Sequence, residues 1–88
     1  MLYTFSSAHY DCEEFEALLA QLTTDDALIF WQDGVLQAVR SEAKLATIQN
    51  VFVLQNDLIA RGLTLKLSTI SLEQFVQLSE HYFPQVAL

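Results

Sequence analysis

Apolar residues along the chain fall into short unbroken runs and into helical stripes, and the two kinds of segment alternate. The short runs predict four strands, at 2–5, 27–31, 51–54 and 65–70. Apolar residues at helical spacing predict four helices, over 12–22, 35–48, 58–61 and from 72 to just before Pro84. This alternation is typical of an α/β domain with a mainly parallel four-stranded sheet. We therefore expect three layers, with helices on both faces of the sheet.

The helical stripes indicate which side of each helix is buried. The stripe of the first helix consists of Phe15, Leu18, Leu19 and Leu22, with Cys12 at its start. That of the last helix consists of Leu72, Phe75, Val76 and Ser79, widened by Leu78 and Tyr82. Residues 65–70 alternate between apolar and polar side chains, as in an edge strand with one solvent-exposed face.

Capping signals mark several helix boundaries. The three-residue spacing of a capping box occurs at Asp11–Glu14 and again at Ser71–Gln74. Asn56 or Asp57 is placed to cap the short third helix, and Gly62 follows that helix where a left-handed residue is favoured.

The composition indicates one small, unusually apolar domain over residues 1–88. Hydrophobic residues make up 52% of the chain and charged residues only 17%, against about 25% in an average globular domain. This excludes disorder and predicts oligomerisation through exposed apolar surface.

Four Lys and Arg against eleven Asp and Glu give a net charge of −7, so direct binding of nucleic acid or an anionic membrane is not expected. With no targeting signal and no apolar run longer than 27–31, we expect a cytoplasmic protein.

Cys12 is the only candidate nucleophile. A helix N-terminus favours a thiolate, whereas the neighbouring carboxylates of Asp11, Glu13 and Glu14 disfavour it. Its position on the apolar stripe favours a buried, structural cysteine. His9 and His81 lack the spacing of metal ligands, so we expect no metal, no cofactor and no catalytic set.

Two polar segments follow apolar strands and are candidates for a partner or ligand surface. The carboxyl ends of parallel strands meet at one edge of a sheet, where ligands bind. The candidate residues there are Gln32, Asp33, Gly34, Asn56, Asp57 and Arg61. A competing interpretation is that they serve only as turn and cap residues.

The same segments resemble the TusB/DsrH family of sulfur-relay subunits. The resemblance is carried by Met1–Thr4, Gln32–Val35, Asn56–Leu63 and Ile70–Leu78, in the family's order and at about its length. The most specific part is the block Asp57-Leu58-Ile59-Ala60-Arg61-Gly62.

The resemblance implies a DsrE-like fold and a non-catalytic role in a TusBCD-type heterohexamer. The implied partners are TusC- and TusD-like subunits and, indirectly, TusE-like and TusA-like carriers. That relay supplies sulfur for 2-thiolation of the tRNA wobble uridine, with the persulfide-carrying cysteine on the TusD subunit.

The chain departs from the family pattern at three positions. The DsrH branch, found in sulfur oxidisers, carries a cysteine in the first helix that would fall near Leu18, and Cys12 does not match it. Tyr3 and Ser71 stand where the family has His and Asp. The first departure favours TusB over a DsrH-type sulfur-oxidation subunit. Two further functions stay open: a sulfurtransferase that uses Cys12 as persulfide carrier, and a homo-oligomeric module that binds a small ligand.

Overall fold

The strands and helices alternate as the sequence pattern predicts, with one strand more than expected. The computed structural model describes residues 1–82 and 84–88. Its elements are, in chain order, β1 (Leu2–Phe5), α1 (Cys12–Gln21), β2 (Ala27–Phe30), α2 (Gly34–Arg40), α3 (Glu42–Leu45), β3 (Val51–Leu54), α4 (Gln55–Ala60), β4 (Ser68–Ile70), α5 (Leu72–His81) and β5 (Gln85–Ala87). The strands form one sheet in the order β4-β3-β2-β1-β5, and every pairing is parallel.

The strand order explains how the helices divide between the two faces of the sheet. From β1 to β4 the chain steps three times in the same direction, and right-handed crossovers then put every connecting helix on one face. Accordingly, α1 to α4 all contribute buried residues to the same cluster, which includes Phe15, Val35, Leu45 and Leu58. Only the return connection from β4 to β5 crosses the other face, and it contains α5.

The larger cluster is built around aromatic rings. Phe5 and Phe30, from neighbouring strands, stack with ring centroids 4.6 Å apart, and Phe15 of α1 meets Phe5 edge-on at 5.6 Å. Phe5 and Phe30 are fully buried, and such burial stabilises a fold by about 1.5–3 kcal/mol per side chain. The opposite face holds a smaller cluster that includes Leu2, Ile29 and Leu54.

The prediction of four strands is wrong, because the chain forms a fifth strand after α5. In β5, Gln85, Val86 and Ala87 pair with Leu2, Tyr3 and Thr4 of β1. The segment is three residues long and mostly exposed, so it has no periodicity of its own. Its extended conformation depends on pairing with the open edge of β1.

Two other element boundaries differ from the prediction. The helix expected over 35–48 is two helices, because the backbone of Ser41 (φ −105°, ψ 17°) leaves the helical region between them. The strand expected over 65–70 is only Ser68–Ile70, because Leu65 and Leu67 pack against the larger cluster from a loop. The prediction that this strand lies at the edge is confirmed.

The capping predictions have mixed outcomes. Ser71 and Gln74 form both bonds of a capping box, as predicted. Asp11 is the N-cap residue of α1, but its side chain makes no capping hydrogen bond. The third predicted helix begins at Gln55 instead of Leu58, so Asn56 and Asp57 lie inside its first turn and do not cap it.

The buried stripe predicted for α5 is partly wrong. Phe75, Leu78 and Tyr82 pack against the smaller cluster, whereas Leu72 and Val76 are 56% and 51% exposed. A rotation of about 100° per residue sets Leu72 and Val76 about 60° and 100° round the helix from Phe75. A single helix on this face leaves that flank without a neighbouring helix.

Gly62 has the predicted left-handed backbone, with φ +64°. A Cβ built there meets nothing within 4 Å, so the backbone conformation alone disfavours other residues. We expect Gly62→Ala to lower the free energy of unfolding by about 1 kcal/mol, measured by urea denaturation. Gly62→Asn should lower it less, because Asn tolerates this conformation. Equal losses for the two variants would contradict this explanation.

Candidate functional site

The structure brings the two predicted polar segments together at the carboxyl edge of the sheet. Gln32 and Asp33 lie in the loop between β2 and α2, and Asp57 and Arg61 lie in and just after α4, which follows β3. Because β2 and β3 are adjacent and parallel, their carboxyl ends place the two segments side by side.

Two polar contacts join these segments, and a third holds Arg61 against Asp57 within the α4 segment. The backbone N–H of Gln32 donates to Asp57 Oδ2 at 2.7 Å. Arg61 Nη2 donates to Asp33 Oδ1 at 2.8 Å, and Arg61 Nη1 lies 3.5 Å from Asp57 Oδ1. We call Gln32, Asp33, Asp57 and Arg61 the strand-end clamp, since every contact crosses from one segment to the other or holds Arg61 in place.

The charges of the clamp are satisfied within it. The hydrogen bond from Arg61 to Asp33 raises the pKa of the guanidinium above its ordinary value, and the negative charges of Asp33 and Asp57 act in the same direction. Arg61 Nη1 also donates to the backbone carbonyl of Asp57 at 3.2 Å. The clamp thus uses its cation and both carboxylates to hold the loops.

The loop after β2 adopts a backbone that its sequence does not favour. Gln32 has φ 53°, in the left-handed region, which costs about 1–2 kcal/mol for a residue with a Cβ. The Asp57 carboxylate stabilises this conformation by accepting the Gln32 N–H. The positive φ at Gln32 had no sequence signal, because Gln is not a residue that marks left-handed turns.

Gly34 allows this loop to pack against the end of β1. A Cβ at Gly34 would lie 1.9 Å from the carbonyl oxygen of Phe5 and 2.6 Å from its carbonyl carbon. The same Phe5 oxygen accepts the Trp31 N–H at 3.0 Å. Gly34 is therefore required by the close approach of the Phe5 backbone.

The clamp fits a rigid surface better than a reaction centre. It contains no thiol, hydroxyl or imidazole, and its carboxylates are already hydrogen-bonded. Asn56 lies beside it with an exposed side chain. Within residues 1–82 and 84–88, no group of three or more His, Cys, Asp or Glu is arranged to hold a metal ion.

The topology also sets the clamp apart from the usual ligand crevice of parallel sheets. Such crevices open where the connections after two adjacent strands go to opposite faces. Here that point lies between β3 and β4, because α4 and α5 pack on opposite faces. The clamp lies one strand away, between β2 and β3. Ser71, which follows β4, is engaged in the capping box of α5.

Cys12 is exposed, so the expectation that it is buried on the stripe of α1 is wrong. It is the first residue of α1, and Phe15, one turn later, is the first side chain of that helix to reach the core. Nearby, Lys44 donates to Glu16, which raises the Lys44 pKa, and the charge of a Cys12 thiolate acts in the same direction. His9 and His81 are also exposed. Leu18 is half-buried.

Trp31 precedes Gln32 at this edge of the sheet and was not among the candidate residues that the sequence singled out. Its ring meets Phe75 of α5 edge-on, with centroids 5.4 Å apart, and its buried Nε1 has no hydrogen-bond partner among the described residues. Trp31 therefore connects the loop of the clamp to the helix on the opposite face. Its position at the end of an apolar run made it indistinguishable from a core residue.

The comparison with protein families decides where this chain belongs. Residues 7–85 match the family model described as DsrH like protein. The chain belongs to the DsrH-like family. Among curated proteins, this DsrH-like chain is 37% identical to Protein TusB of Yersinia enterocolitica and 38% identical to Protein TusB of Yersinia pestis, over 99% of each chain in both cases. It is also 38% identical, over the whole of both chains, to an uncharacterised protein of Haemophilus influenzae.

The fold is shared with a solved structure. The solution NMR structure of Protein Tm0979 from Thermotoga maritima superposes with a TM-score of 0.65, covering 91% of this chain and 92% of that one at 22% identity. This likeness supports the three-layer α/β fold. The relatives named TusB support the resemblance to the TusB branch, as expected from the block around Asp57 and Arg61. No helix of the described residues is long and apolar enough to span a membrane.

The clamp predicts different effects for two adjacent residues of α4. Asp57→Ala removes the acceptor of the Gln32 N–H, so the free energy of unfolding should fall by about 1 kcal/mol. Asn56→Ala, at an exposed neighbouring position, should change it by less than about 0.5 kcal/mol. Asp57→Asn keeps an acceptor oxygen and should recover part of the loss. Urea denaturation measures all three, and equal stability of Asp57→Ala and Asn56→Ala would contradict the role of the clamp.

Gly34→Ala should be far more damaging than Gly62→Ala. At Gly34 the new methyl group meets backbone atoms of a central strand, which cannot move aside as a side chain can. We expect a loss of about 3 kcal/mol or more, measured in the same denaturation experiments. A loss of about 1 kcal/mol or less would show that the loop is free to move away from β1.

Proposed function

We propose that this chain is a non-catalytic subunit of a TusBCD-type sulfur-relay complex that supplies sulfur for 2-thiolation of the tRNA wobble uridine. It acts with TusC- and TusD-like subunits in a cytoplasmic heterohexamer. It depends indirectly on TusA-like and TusE-like carriers and does not contact nucleic acid or membrane itself.

The observation that carries this proposal is the full-length similarity to proteins named TusB. It includes both segments of the strand-end clamp, whose internal contacts favour a surface held for a partner over a site that binds substrate. The net charge of −7 supports contact with proteins over contact with RNA, because phosphates repel an acidic surface.

The exposure of Cys12 supports a second candidate function. As a sulfurtransferase, the chain would use the Cys12 thiolate to attack the outer sulfur of a donor persulfide. The S–S bond of the donor breaks, Cys12 becomes the persulfide, and the donor sulfur leaves as a thiolate. Against this candidate, the neighbours of Cys12 in the chain, Asp11, Glu13 and Glu14, are acidic and oppose the approach of an anionic donor. The position of Cys12 is also displaced from the cysteine of the DsrH branch.

Co-expression tests the proposed complex. The chain is produced with the TusC- and TusD-like subunits of the same organism, and the assembly is analysed by size exclusion with native mass spectrometry. We expect one complex with two copies of each subunit. Elution of this chain alone, beside a complex of the other two, would overturn the proposal.

Thiolation in cells separates the two candidate functions. Cys12→Ala should leave 2-thiouridine in tRNA at the wild-type level, and the exposed position predicts no loss of stability. Deletion of the whole chain should abolish thiolation, as should removal of the TusD-like subunit's cysteine. Nucleoside mass spectrometry measures the product. If Cys12→Ala abolishes thiolation while the protein stays folded and assembled, the sulfurtransferase function is correct.

A further inference from the structure

The outer flank of α5 carries two exposed apolar side chains one turn apart. Leu72 and Val76 are 56% and 51% exposed, and residues four apart on a helix are neighbours. No residue of α5 is fully buried, because this helix alone covers the second face of the sheet. A flank exposed only to water would be expected to carry polar residues.

Acidic side chains border this apolar pair. Glu73 and Glu80 lie about 60° and 40° further round the helix than Val76, on the side away from the core. Both are exposed, and neither forms an ion pair within residues 1–82 and 84–88. The helix contains no Lys or Arg. We call Leu72, Glu73, Val76 and Glu80 the α5 flank.

The negative charge of the α5 flank indicates which kind of partner surface can bind it. A second copy of this chain would bring its own Glu73 and Glu80 against these carboxylates, and like charges placed together oppose association. The chain as a whole carries −7, which adds to that repulsion. An apolar patch bordered by Lys or Arg complements both the apolar pair and the carboxylates.

We propose that the α5 flank is the contact surface for a different protein chain, whose facing surface is apolar at its centre and basic at its border. The proposal rests on the proposed function, so this chain is a partner subunit of the relay complex. Leu72 and Val76 become buried in the contact and contribute most of its affinity, as desolvated central residues do. Glu73 and Glu80 orient the partner and accelerate association.

Matched variants test the apolar part of the surface. Val76→Ser is compared with Ile59→Ser, since Ile59 is 68% exposed on α4 and outside the flank. Binding to the co-expressed TusC–TusD-like complex is measured by biolayer interferometry, and circular dichroism confirms the fold of each variant. We expect Val76→Ser to raise Kd at least tenfold, and Ile59→Ser to leave it within twofold of wild type.

A second pair of variants tests the charges. Glu73→Gln with Glu80→Gln should lower the association rate severalfold and weaken its dependence on salt. Glu13→Gln with Asp25→Asn removes the same charge elsewhere and should lower the rate less. Equal rates for the two double variants would overturn the role of the flank carboxylates.

Three results would overturn the proposal in distinguishable ways. If wild type binds the complex and Val76→Ser binds equally well, or Ile59→Ser is equally impaired, the proposed function stands and the α5 flank is not the contact. If the isolated chain forms a dimer in sedimentation that Val76→Ser abolishes, the flank binds a second copy. If wild type does not bind either subunit, the proposed function fails and this inference fails with it.

Discussion

The right-handedness of parallel crossovers is the constraint that shapes both faces of this sheet. Three successive steps from β1 to β4 put α1 to α4 on one face, and only α5 crosses the other. A domain of 88 residues that distributes its helices in this way cannot cover both faces equally. The larger cluster around Phe5 and Phe30 is closed by several helices, whereas the smaller one depends on Phe75, Leu78 and Tyr82.

The same topology explains why the polar residues at the strand ends hold each other. The connections after β2 and β3 both turn towards the same face, so they lie side by side and no crevice opens between them. Arg61 and Asp57 can then reach Asp33 and the backbone of Gln32. Residues that resemble a ligand site in the sequence stabilise a left-handed turn and fix α4, which is too short to be stable by itself.

A small chain with so large a share of apolar residues must place their side chains either in its core or on its surface. Most of these side chains enter the two clusters, and part of the remainder lies on the exposed flank of α5, at Leu72 and Val76. In the proposed assembly, these two residues are covered by a partner subunit and are exposed only in the isolated chain. The acidic composition is consistent with this role, since it limits association between identical copies while it leaves contact with a basic partner favourable.

Local sequence was enough to establish the alternation of strands and helices, the parallel sheet, the capping box at Ser71, the left-handed Gly62 and the family. Each of these depends on periodicity, on the conformational preference of one residue, or on a motif of adjacent residues. The fifth strand, the break at Ser41, the left-handed Gln32 and the exposure of Cys12 and of the α5 flank emerged only from the tertiary structure. The reason is that these features depend on contacts with residues distant in the sequence, or on the absence of such contacts. Pairing with β1 creates β5, a carboxylate from α4 holds Gln32, and a missing neighbouring helix leaves the flank of α5 exposed.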